Sequence, residues 1–157
     1  MAWLLVPVGV VAVLLAVIGA RFARLRMLRK RDRQRRAEFQ IQRERLEAKF
    51  FELAGNSGKP RGLRWTDCSF DDEVTYARQR ENGELCALVS VTISFEAIIG
   101  GGMEEVEAVG NLRSATAVFR VVDGRWQTDG RAIFNLNPTE AIAYYQENLS
   151  PIGPSGA

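Results

Sequence analysis

Eighteen consecutive uncharged residues, Trp3 to Ala20, run directly into RFARLRMLRKRDRQRR (residues 21–36), where nine of sixteen side chains are Arg or Lys and only Asp32 opposes them. An apolar run of that length must be buried. As a helix it measures about 27 Å, close to the hydrocarbon thickness of a bilayer. Eleven of the eighteen are Leu, Ile or Val. On the membrane-insertion scale they favour burial by roughly 3–7 kcal/mol before Pro7, Gly9 and the ends are counted against it. Pro7 stands near the helix start, where a missing backbone donor costs least. A cleaved secretory signal carries its positive charge ahead of the apolar run and a small-residue cleavage site behind it. Here the dense positive charge comes behind, so an uncleaved anchor is expected over residues 1–20.

The same asymmetry predicts orientation, because Lys and Arg next to a span stay on the cytoplasmic side. The expectation is a single-pass protein of the plasma membrane or a cell inner membrane, N-terminus outside and C-terminal domain cytoplasmic. Arg21, Arg24, Arg26, Arg29, Lys30 and Arg31 are the expected contacts for anionic lipid headgroups, each worth about 1 kcal/mol near the surface. Nucleic acid is not an expected partner: beyond Phe22 no aromatic side chain interleaves with the basic residues. The charge also divides sharply. Residues 1–54 hold twelve Lys/Arg against five Asp/Glu, and residues 55–157 hold nine against fourteen. An acidic domain is not drawn to phosphate backbones.

There is no histidine in the 157 residues. That removes His-based acid/base chemistry, Ser-His and Cys-His nucleophile pairs and every His-ligated metal site. Cys68 and Cys86 have no metal-ligand spacing, and a cytoplasmic domain keeps them reduced, so both are expected to pack as thiols.

From Arg21 to Ala54 no Gly or Pro interrupts a sequence rich in Arg, Leu, Glu, Gln and Ala, all good helix formers. Residues 21–38 read as a basic juxtamembrane stalk. Within 39–54, Phe39, Leu46, Phe50 and Leu53 share one helical face, predicted to dock on the domain that follows. Gly55-Asn56 supplies the stop.

Beyond Gly55 the period becomes alternating. GLRWTDCSF (62–70) and EVTYARQR (73–80) read as two short strands, and Asn82-Gly83 as a hairpin turn. Residues 85–97 form a long strand, and Gly100-Gly101-Gly102 a loop. EEVEAVGNLRSATAVFRVV (104–122) reads as a fourth strand bulged near Gly110. Asp123-Gly124 turns into a fifth, RWQTDGRAIFNL (125–136). Asn137-Pro138-Thr139-Glu140 then opens a helix expected to reach Leu149, with residues 151–157 as a frayed tail. The predicted fold is α+β: a transmembrane helix and helical stalk, then a five-stranded antiparallel curved sheet packed by one or two helices over residues 39–150. Trp65, Phe70, Phe95, Phe119, Trp126 and Phe134 are the expected core aromatics.

The helix followed by long antiparallel strands, with the late hairpin AVFRVVDGRWQTDG, resembles the cystatin-like group that includes nuclear-transport-factor-like domains. The likeness spans about residues 39–136. It implies a curved sheet serving as a small-ligand pocket or a protein-binding module, and it carries over no catalytic residues.

The acidic groups Asp71-Asp72-Glu73, Glu104-Glu105-Glu107 and Asp129 lack the spaced pattern of a calcium loop, so neither metal nor cofactor is expected. The Gly-rich loop has no following Gly-Lys-Ser/Thr and no helix, so it is not a phosphate cradle. Trp65, Asp67, Tyr76, Trp126 and Asp129 are the residues expected at a pocket or partner surface. Asp67 or Asp129 beside Tyr76 would form the acid/base pair of a His-free enzyme. The leading expectation is a membrane-anchored binding or scaffolding module with a protein partner. The alternatives are a small-ligand or enzyme pocket, and self-association through the stalk.

Overall fold

The computed structural model describes residues 5–152, with the backbone alone for residues 5–12. The chain is mixed α+β, with a long N-terminal helix and a six-stranded antiparallel sheet. It divides into two compact units, Met1–Gln40 and Ile41–Ala157.

Helix α1 runs Leu5–Asn56, as the absence of Gly and Pro after Gly19 predicts. In the first unit, Val13, Leu14, Leu15, Val17 and Ile18 are exposed, and so are all six of Arg21, Arg24, Arg26, Arg29, Lys30 and Arg31. Arg35 and Glu38 pair at 2.8 Å one turn apart. Among the described residues no helix is long and apolar enough to cross a membrane. The predicted span Trp3–Ala20 lies partly outside those residues: Trp3 and Leu4 wholly, and Leu5 to Ala12 in their side chains.

In the second unit, strands β1 (Leu63–Gln79), β2 (Leu85–Ala97), β3 (Arg113–Val122), β4 (Arg125–Gln127), β5 (Ala132–Phe134) and β6 (Leu149–Pro151) flank helix α2 (Pro138–Tyr144). The sheet order is β4-β3-β2-β1-β6, with β5 also on β3. Cross-strand partners share a face. Trp65 opposite Phe95, Phe70 opposite Val91 and Ala87 opposite Phe119 build one core. Phe50 of α1 enters it edge-on to Trp65 (6.2 Å) and Phe70 (5.7 Å) and tilted against Phe119 (6.0 Å). Leu46 and Ala54 are buried beside it and Leu53 is half-buried. The other face is also covered: Cys86, Leu88, Val118 and Ile133 pack on Ala141 and Ile142 of α2.

Four expectations need correction. Residues 62–70 and 73–80 are one strand, β1, with register shifts at Trp65/Asp67 and Phe70/Val74. The acidic triplet bulges without ending the ladder because β2 continues opposite it. The predicted fourth strand begins only at Arg113; ahead of it lie a loop and a 3-10 turn, Glu107–Gly110. Glu104 folds back to accept the Gly100 N–H, which closes the loop on itself. The predicted fifth strand is broken into β4 and β5 at Gly130, whose φ of +74° no regular strand allows. Finally, α2 stops at Tyr144 rather than Leu149, and Leu149–Pro151, expected as a helix end and the start of a frayed tail, pairs with Ala77–Gln79 as a sixth strand. The open edge of β1 offers backbone partners there, and the Arg80 N–H donates to the Asn148 carbonyl at 2.9 Å. Residues 153–157 lie outside the described residues.

Turns and caps follow their residues. Asn137 and Glu140 form a reciprocal capping box with both bonds at 2.9 Å. Asp123 and Gly124 both take positive φ (+48° and +73°), which sets the β3–β4 hairpin.

Candidate functional site

The break between β4 and β5 shapes the molecule's second face. Because Gly130 turns left-handed, Thr128 is free to donate its hydroxyl to the Val118 carbonyl (3.1 Å) and to accept the Gly130 N–H (3.1 Å). Asp129 accepts the Arg131 N–H at 3.1 Å and pairs with the Arg120 guanidinium. Two arginines are thereby set at the end of α2. Between them and the sheet is a cavity of about 280 Å³. Its apolar lining is Cys86, Val118, Ile133 and Leu149; its polar lining is Gln79, Glu81, Arg120, Arg131, Tyr145 and Asn148. The Arg131 guanidinium lies over the Tyr145 ring, 5.0 Å from its centroid, in cation–π contact. The Gln79 amide nitrogen is sealed from solvent and has no acceptor among the described residues. A buried donor left in that state costs roughly 1–3 kcal/mol.

The thiol in this lining is not a nucleophile. Burial pushes Cys86 up to about 12, outweighing the attraction of Arg120 and Arg131, so at neutral pH it is a protonated, apolar wall.

A second concavity, about 350 Å³, runs between α1 and the outer edge of β1, with Glu44, Glu47 and Asp67 beside Phe51, Cys68 and Phe70. Glu47 is held by Arg43 at 2.6 Å. Cys68 is also pushed up to about 12, first by burial and then by Asp67. Among the described residues no cluster of three or more His, Cys, Asp or Glu could hold a metal ion.

The five residues singled out from sequence do not converge. Trp65 is buried in the α1-side core, where its Nε1 donates to the Lys59 carbonyl at 2.8 Å. Trp126 is buried opposite Val121. Asp67 lies at the groove beside α1. Tyr76 opposes Ala87 and Asp67 opposes Ser94, about 23 Å apart along the strand. Asp129 borders the α2-side cavity through Arg120, on the face opposite Tyr76. No acid/base pair of Tyr76 with either aspartate forms. The groups that do converge, Gln79, Arg120 and Arg131, read in sequence as ordinary strand residues. Their only signal is the Thr-Asp-Gly-Arg stretch (128–131), whose Gly marks the bulge that aims them.

No family model, no curated protein and no solved structure matches the chain.

Proposed function

We propose that this is a single-pass membrane-anchored protein presenting a small cytoplasmic α+β module for binding or scaffolding. The observation that carries the reading is bare apolar surface on α1. Val13, Leu14, Leu15, Val17 and Ile18 are each about half to two-thirds exposed, at 48–64 %. Such surface is not left to water, and it leads directly into the exposed basic block. Lipid around the first and headgroups around the second satisfy both. The test is membrane fractionation of the full chain with a reporter after Ala157. Retention in alkaline-washed membranes with a reporter active only in the cytoplasm is the expected result; release by the wash, or an extracytoplasmic reporter, overturns it.

The cavity beneath α2 favours a second, compatible reading, in which the module binds a small molecule. It combines an apolar floor with a few polar groups in its lining, the usual make-up of a ligand site.

A further inference from the structure

We propose that the cavity between α2 and the sheet is a receptor site for a small amphipathic carboxylate, an inference that rests on the small-molecule reading of the module. Two guanidinium groups set the chemistry. Arg131 is positioned over the Tyr145 ring, 5.0 Å from its centroid. Arg120 is held in place by Asp129. Of the charged groups in the lining, two are guanidinium and one, the exposed Glu81, is carboxylate.

A planar carboxylate accepts two parallel bonds from a guanidinium fork and brings the opposite charge, which neither a cation nor a neutral alcohol supplies. The apolar wall of Cys86, Val118, Ile133 and Leu149 calls for an apolar body behind that head group. The neutral Cys86 thiol adds no competing negative charge. The site therefore selects a small acid with a compact hydrocarbon or aromatic body.

The probes are 4-fluorobenzoate and its neutral counterpart 4-fluorobenzyl alcohol, followed by fluorine NMR on the full chain in detergent micelles, with empty micelles as the reference. Saturable broadening of the benzoate alone is expected. Arg131→Gln should weaken it at least tenfold. Arg120→Gln should weaken it similarly. Equal binding of the alcohol overturns the carboxylate assignment but leaves a ligand pocket. No saturable binding of either probe overturns both. Unchanged benzoate binding in both variants also overturns the assignment.

Discussion

Arg43 of α1 donates Nη1 to the carbonyl oxygen of Asp72 at 2.8 Å, tying the helix to the bulge of the edge strand. Its Nη2 donates to the Asp71 carbonyl, and its Nε holds Glu47 at 2.6 Å. Arg43 thus caps two carbonyls of β1 on the side where that segment has no β6 neighbour, since β6 covers only Ala77–Gln79 among the described residues. Unpaired edges invite association, and a side chain across the carbonyls blunts that tendency. Arg43→Met should cost about 1.5–3 kcal/mol in denaturant unfolding, as bonds to a charged donor do. Arg43→Lys should recover less than half, because one ammonium cannot serve three acceptors set apart by a planar fork.

Phe50 joins the helix to both halves of the α1-side core through Trp65, Phe70 and Phe119. It is fully buried. Phe50→Ala should lower unfolding free energy by about 3–5 kcal/mol. The exposed Phe22 on the same helix provides the contrast: Phe22→Ala should leave unfolding of the sheet unit within about 0.5 kcal/mol of the parent.

Gly130 separates backbone strain from crowding. An added Cβ would lie 2.6 Å from the Ala54 nitrogen and 2.8 Å from the Leu53 Cβ, on top of a φ of +74°. At Gly83 φ is +70° but the space is open. Gly83→Ala should cost about 1 kcal/mol and Gly130→Ala at least about 2 kcal/mol, read by thermal unfolding. Equal costs would show that the bulge can move away from α1.

Cys86 gives the domain an alkaline limit. Its thiol is raised from 9.0 in the open chain to about 12 by burial. A raised folded value means the native state keeps the proton that the unfolded state has lost. The contribution is therefore whole below pH 9 and declines as pH rises towards 12, at about 1.4 kcal/mol per pH unit. Cys86→Ala should flatten that slope in unfolding measured between pH 9 and 11. In the folded chain at pH 8, an alkylating reagent should leave Cys86 unmodified.

Much of the element plan is readable along the chain. A gapless run of helix formers ending at Gly55-Asn56 makes α1, which closes at Asn56. Asn137-Pro138-Thr139-Glu140 opens α2 with its capping box in place. Paired positive-φ residues set the hairpin at Asp123-Gly124. These signals act within four or five residues, through backbone bonds and steric limits that neighbours in sequence can satisfy alone. The alternation in residues 85–97 likewise marks the long central strand, although it does not show that Cys86 and Leu88 on its second face would also be buried.

What sequence by itself determined is therefore local: where helices start and stop, where the chain turns, that no histidine chemistry is available, and that an apolar run adjoins a basic block. Only tertiary structure decided the rest. Whether Asp71-Asp72-Glu73 ends a strand or bulges within one depended on β2 opposite and Arg43 above. Whether residues 149–151 close a helix and open a tail, or pair as a strand, depended on the free edge of β1. Gln79, Arg120 and Arg131 meet because a bulge at Gly130 and the end of α2 bring together segments some fifty residues apart. Such contacts are set by which surfaces remain unpaired after the local elements have formed, and neighbours along a chain carry no record of that.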